Sequence, residues 1–315
     1  MTLLSRTADN LFWMARYMER ADSVARILDP AYRLSSLPTA YGGLTSEWDS
    51  ALATAGCTDA FAAAHERATP EAVVHFLAVS PDNPSSIRRC LEIARANARA
   101  ERTALTIEMW EAINDSYLTM QGWVDRGVSL ADLPRFLAFA KEAALRFDGS
   151  AHRTMLRTDA FWFTCLGLCT ERADNTARIL DVKYHVLLPD HARVGGGLDY
   201  YQWASILRSV SALTSYRWVY RDSVKPWLVA DLLILKEDMP RSLAACYRSI
   251  SGYLDELSTA YGWQGSSQRI ARSVHMRLSN TSIETIFQSG LHEFVEGFLV
   301  QNNELGAAIA EQYLS

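Results

Sequence analysis

Apolar residues recur at steps of three and four along most of the chain, and strand-like alternation is rare. The pattern predicts an all-α protein. A first helix is expected from about Thr7 to Asp29, stopped by Pro30, which has no backbone N–H to donate. After a loop with Pro38 and Gly42-Gly43, a second helix starts near Thr45 or Ser46. It carries Trp48 and Leu52 to about Cys57. Pro70 suits the first turn of a short third helix, Glu71 to Val79. A long fourth helix, about Ser85 to Ile113, is suggested by the stripe Ile87, Leu91, Ala94, Ala98, Leu105, Met109 and Ala112. Trp123 to Gly127 reads as a turn. A fifth helix follows from about Leu130 to Phe147, closed by Asp148-Gly149.

The same order returns in the second half. Glu19-Arg20-Ala21-Asp22-Ser23-Val24-Ala25-Arg26-Ile27-Leu28-Asp29 reappears as Glu171-Arg172-Ala173-Asp174-Asn175-Thr176-Ala177-Arg178-Ile179-Leu180-Asp181, differing only at Ser23/Asn175 and Val24/Thr176. Gly42-Gly43 and Trp48 match Gly196-Gly197 and Trp203. Pro70 matches Pro226, and Ser86 and Cys90 match Ser242 and Cys246. The offset drifts slowly upward along the chain, as a few short loop insertions would produce. These matches predict an internal duplication of a roughly five-helix unit, residues 1–150 and 151–315, with its seam near Asp148 to Thr154. The two halves would form one integrated helical bundle about a pseudo-two-fold axis. The last element, Ser282 to Tyr313, would be the counterpart of the fifth helix. The two Glu-Arg helices would then face each other near the axis.

Each residue of a helix advances about 100°, so Glu19, Asp22, Arg26 and Asp29 fall on one stripe, and Glu171, Asp174, Arg178 and Asp181 reproduce it. Asp22 and Arg26 are an i,i+4 pair in the favourable order. Arg20 and Arg172 point away from the stripe and must address other neighbours. Apolar positions one turn earlier have diverged, with Tyr17 against Cys169 and Met18 against Thr170, while the charges are kept. The stripe is therefore read first as a paired ion network, with a ligand site and a solvated face as alternatives. A second candidate is Arg88, Arg95, Arg99 and Arg102, one helical stripe able to grip a carboxylate or phosphate, or to pair on the surface with Glu92.

Composition narrows the chemistry. A net charge of −5 gives no general attraction to nucleic acid or to an anionic membrane. The five cysteines are scattered, without the spacing of a zinc site. Cys165 and Cys169 read as buried, inert helical neighbours in a reducing compartment. No apolar run is long enough for a membrane span, the N-terminus lacks a secretory pattern, and a cytoplasmic location is expected. No Walker loop, nucleophile elbow, Glu-x-x-His pair or histidine metal spacing is present, so no cofactor and no metal are expected.

The run Leu11-Phe12-Trp13-Met14-Ala15-Arg16-Tyr17-Met18-Glu19-Arg20-Ala21-Asp22 resembles the hallmark of the bacterial alpha-E family. So do Ala94-Arg95-Ala96-Asn97-Ala98-Arg99, Glu108-Met109-Trp110-Glu111-Ala112-Ile113-Asn114 and Pro240-Arg241-Ser242-Leu243. The family motif usually has Gly where this chain has Ala15. The resemblance covers essentially the whole chain and implies a helical domain encoded beside, or fused to, a circularly permuted ATP-grasp protein, often with a transglutaminase-like protein nearby. By that association it implies an accessory module of an ATP-dependent peptide- or amide-forming system. Arg95, Arg99 and Arg102 would contact an anionic substrate group, and Glu19, Arg20, Glu171 and Arg172 would fix the scaffold or the partner. Two other readings stand beside it: an enzyme acting on the ligase product with Glu19 or Glu171 as general acid/base, and a purely structural helical oligomer.

Overall fold

The structure, a computed structural model, describes residues 3–35, 47–186 and 197–314. Among them every regular element is helical, and no strand is present. The expected loop glycines Gly42-Gly43 and Gly196 lie outside the described residues, while Gly197, the other matched glycine, opens a helix.

Two long helices form the axis of the molecule: α1, Ser5–Ser35, and α8, Asp159–Val186. They carry the two Glu-Arg motifs and pack directly against each other. At their crossing, a Cβ on Gly167 would stand well inside van der Waals contact distance of the Phe12 carbonyl oxygen and 3.1 Å from the Ala15 Cβ. Gly167 therefore sets how closely the two helices approach. Both are apolar on most sides (Leu11, Phe12, Met14, Ala15 and Met18 on α1, Phe163, Leu166, Ala173 and Ala177 on α8 are all buried), as central helices of a bundle must be.

Around this pair the first half supplies α2 (Glu47–Thr54), α3 (Thr58–Ala62), α4 (Pro70–Ala78), α5 (Ile87–Ala100), α6 (Ile107–Arg126) and α7 (Leu133–Thr154). The second half supplies α9 (Gly197–Ser209), α10 (Leu213–Tyr220), α11 (Pro226–Ile234), α12 (Leu243–Tyr261), α13 (Ser266–Asn280), α14 (Ile283–Ser289) and α15 (Leu291–Ile309). Helices α5 and α7 lie against α1, and α12 and α15 against α8. One cluster of buried apolar side chains runs from Ala8 to Tyr313 and includes residues of both halves.

Several expected boundaries move. Pro30 does not stop α1, which continues one and a half turns to Ser35. Proline removes only the bond from its own N–H to the Arg26 carbonyl, and burial of Ile27 and Ala31 on either side holds the helix together. The expected fourth helix is two helices. Glu101 leaves helical geometry (φ −116°, ψ 36°), a 3-10 turn Arg102–Ala104 follows, and Thr106 caps α6 by accepting a hydrogen bond from the Met109 N–H. Apolar spacing carried on across the break and concealed it. Glu101 is held out of the helix by Thr7 and Asn10 of α1, which donate to its two carboxylate oxygens, each at 2.9 Å.

Trp123 is helical, packed edge-on against Phe136, and α6 ends only at Gly127, whose φ of +76° favours glycine. Asp148-Gly149 lies inside α7, so the expected seam is a continuous helix to Thr154. The final element is divided at Gly290 (φ +96°) into α14 and α15, and ends in a π-helical turn, Ala310–Leu314. The segment Thr58–Ala62 forms α3, a helix not expected from the sequence.

Candidate functional site

The crossing of α1 and α8 places each motif's arginine on the other motif's glutamate. Arg20 donates to both oxygens of Glu171, Nε at 2.6 Å and one terminal nitrogen at 3.1 Å. Arg172 donates to both oxygens of Glu19, at 3.2 and 2.8 Å. These are the fork-on-carboxylate pairings for which the planar guanidinium is suited. Both glutamates are only 2% exposed. The direction taken from the helical wheel, with Glu and Arg of each motif pointing to different neighbours, is what the structure shows.

Each glutamate receives a second arginine, from a different source. Arg16, one turn before Arg20, donates its Nε to Glu171 at 2.8 Å. Arg241, in the turn before α12, donates to Glu19 at 2.8 Å and to Asp22 at 2.6 Å. The Arg241 carbonyl accepts from the Thr176 hydroxyl of α8, which holds that turn in place. Asp22 also accepts from Arg26 at 2.6 Å, and Arg26 continues to the Ser209 carbonyl and the Ser211 hydroxyl at the end of α9. Glu19, Asp22 and Arg26 thus form one network, as their stripe suggested. Asp29 leaves it and pairs with Arg33 and Lys141. In the second motif Arg178 donates to Asp174 at 2.6 Å.

Burial alone would raise the pKa of Glu19, but the charges of Arg172 and Arg241 overcome it and hold the carboxyl down to about 2. Arg20 and Arg16 likewise outweigh burial at Glu171 and lower it. A general acid or base near neutrality requires the opposite shift and access to substrate. Neither glutamate has them.

The arginine series is placed differently from the expected single stripe. The break after α5 moves Arg102 into the 3-10 turn. Arg95 donates to the Asn114 side chain at 2.9 Å and lies 4.3 Å over the Tyr117 ring, while Arg102 lies 4.4 Å over Trp110. Arg99 is exposed. Glu92 pairs with Arg88 and Arg89, and not with Arg95. Arg95 and Arg102 brace this region against α6, and the series is not brought to the Glu-Arg centre.

Sequence reasoning did not include Arg16, Arg241 or Asp148 among the site residues. Arg16 carried a signal, since it precedes Arg20 by four and shares its face. Arg241 carried one only as part of the family-like run Pro240-Arg241-Ser242-Leu243, because the matching position in the first half is Ser85. Asp148 accepts from Arg172 at 3.3 Å and pairs with His152 at 2.8 Å. Burial disfavours its charge, but His152 and Arg172 still lower its pKa, and Asp148 in turn raises that of His152. Among the described residues no group of three or more His, Cys, Asp or Glu side chains is arranged to hold a metal, and no helix is long and apolar enough to cross a membrane. All five cysteines are free thiols.

The family model described as a predicted alpha-helical domain with a conserved ER motif matches residues 3–314. The chain belongs to the alpha-E family. The reciprocal Glu19–Arg172 and Glu171–Arg20 pairs give that family's conserved motif a physical role in this alpha-E protein: two buried carboxylates, each gripped from the opposite helix. Curated relatives include an uncharacterized protein of Mycobacterium bovis, 29% identical over 187 residues, covering 53% of this chain and 21% of that protein. Uncharacterized proteins of two Mycobacterium tuberculosis strains match at 29% and 28% over the same shares. This alpha-E chain thus spans about a fifth of the length of the curated relatives it matches. No solved structure matches it.

Proposed function

We propose that this alpha-E protein is a non-catalytic interaction module of an ATP-grasp-linked peptide- or amide-forming system. It docks on the ligase and acts from a cytoplasmic location. The observation that carries this reading is the sealing of both motif glutamates under two arginines each, which leaves the family's defining residues as scaffold and not as reagents. The association with circularly permuted ATP-grasp proteins supplies the partner. The mycobacterial relatives, in which the matching stretch is a minor part of a longer chain, fit a module that works joined to other parts.

The reading includes an internal duplication about a pseudo-two-fold axis between α1 and α8. Matched local chemistry supports it. Ser86 caps α5 and donates its hydroxyl to the Ser80 carbonyl at 2.7 Å, and Ser242 caps α12 and donates to the Lys236 carbonyl at 2.6 Å. Helices α4 and α11 are both nine residues long and both begin on a proline. Asp22–Arg26 and Asp174–Arg178 repeat the same 2.6 Å bond.

The test is a pull-down of the neighbouring ATP-grasp protein with this chain, followed by ATP-turnover measurement with and without it. A stable complex and altered turnover are expected. Absence of a complex together with unchanged turnover removes the reading.

A further inference from the structure

The two ends of the Glu-Arg cross are built alike but filled differently. Six and two residues before Glu19 stand Trp13 and Tyr17. Six and two residues before Glu171 stand Cys165 and Cys169. At the first end the rings cover the arginines: Arg16 lies 4.8 Å over Trp13 and Arg20 5.2 Å over Tyr17, and the two rings are 5.8 Å apart. At the second end the thiols are too small to take that place. A cavity of about 350 Å³ opens there, with Arg172, Cys165, Cys169 and Cys246 in its wall. Among the described residues no ring stacks on Arg172. The correspondence extends to the helix behind, where the buried Cys90 and Cys246 stand at matching positions of the two halves.

We infer that this cavity is a binding site for a small aromatic molecule with a ring the size of phenol or indole, seated where the first end holds its own Trp13 and Tyr17. Three features select the ring. The volume exceeds the roughly 150 Å³ that suffices to hold benzene. The Arg172 guanidinium is fixed edge-on by Glu19 and Asp148, so a face is left for a π system. Sulfur makes favourable contacts with aromatic rings, and three thiols line one wall. Burial keeps those thiols protonated, with Cys169 pushed up to about 11, so they serve as soft surface and not as nucleophiles. The rim is polar: His152 on Asp148 and Arg248 on Glu237 offer donors and acceptors to a hydroxyl or ring N–H, and Arg248 and Asp238 are exposed at the mouth. The site requires no ligase, and it stands or falls separately from the interaction-module reading.

The test uses the full chain and three probes: phenol, indole and cyclohexanol, the last matching phenol in size without a π face. Titration followed by ¹H–¹⁵N correlation spectra is expected to give saturable shifts centred on residues 165–172 and 245–253. Dissociation constants between about 10 µM and about 1 mM suit ligands this small, and cyclohexanol should bind several-fold more weakly. Cys169→Tyr, which installs the residue the first end already has, should abolish phenol binding in a folded protein. No saturable shift with phenol or indole, shifts centred elsewhere, cyclohexanol binding as well as phenol, or undiminished binding in folded C169Y each overturn the assignment. Should C169Y fail to fold, the shift map and the cyclohexanol comparison on the unaltered chain still decide.

Discussion

The Glu171 end and the Glu19 end share a core and differ in everything around it. Each has a buried carboxylate, a two-pronged arginine from the opposite helix and a second arginine. At the Glu171 end that second arginine is Arg16, from α1 itself, and both cations depend on one carboxylate under a roof of Trp13 and Tyr17. At the Glu19 end it is Arg241, from a turn far along the chain. The charges there spread to Asp22 and Asp148, and the roof is replaced by a cavity. The ion pairing is therefore what the two ends have in common, and the surroundings are free to specialise. An ion network that joins two halves constrains both of them, whereas the padding of one end constrains only that end.

The largest expected effect follows from this difference in redundancy. Glu171→Gln leaves the half-buried Arg16 and Arg20 without a counter-charge and should cost about 3–5 kcal/mol. Glu19→Gln leaves Arg172 with Asp148 and Arg241 with Asp22, so its cost should be smaller, about 2–3 kcal/mol. Urea unfolding of the two variants measures the order directly. Equal costs, or a larger one for Glu19→Gln, would break the distinction between a single-anchored and a shared network.

Acid should then expose the Glu19 end by itself. The folded pKa of Glu19, about 2, lies below the ordinary 4.5, so its carboxylate stabilises the fold at neutral pH, by about 3 kcal/mol. That contribution is complete above pH 4.5 and is lost as pH falls from there through about 2. The stability gap between the parent chain and Glu19→Gln should accordingly close across this window. A gap that stays constant down to pH 2 would show that Glu19 is not held ionised by its arginines.

Much of this arrangement was legible in the chain because it is local. The all-helical fold, Pro70 at a helix start, the Asp22–Arg26 pair and the divergence of Arg20 from its neighbours all follow from helical geometry within a few residues. What was not legible came from contacts across the molecule. Glu101 breaks a helix because α1 holds its carboxylate, Pro30 fails to break one because its flanks are buried, and Asp148 stays helical while its side chain turns to Arg172. Arg241 reaches Glu19 across 222 positions of sequence, a separation that no periodicity reports. The cavity was visible only as its cause, the exchange of Tyr17 for Cys169.

The close approach of α1 and α8 lies between the two ends and should affect both. Gly167→Ala adds a methyl group against the Phe12 carbonyl and the Ala15 side chain, neither of which yields without moving a helix. A loss of about 2–3 kcal/mol is expected, and at both ends the arginine–carboxylate pairs should loosen together. Backbone amide exchange around Glu19 and Glu171 would report this. Faster exchange at one end alone would mean that the ends are held by their own surroundings and not by the crossing.

The smallest effect concerns the roof. Tyr17→Cys gives the first end the residue the second end has at the matching position. It removes a half-buried ring from over Arg20 and leaves Trp13 in place. The loss combines part of a side chain's burial with one cation–π contact, about 1–2 kcal/mol in all. The ion pair beneath should survive, because Arg20 keeps both of its bonds to Glu171. The variant should therefore fold, and phenol should rescue part of the lost stability by occupying the space the ring left. If phenol rescues nothing while the fold is retained, the aromatic roof fills space at this end without creating a ring-shaped seat. The parallel drawn between Tyr17 here and an absent ring beside Cys169 would then fail.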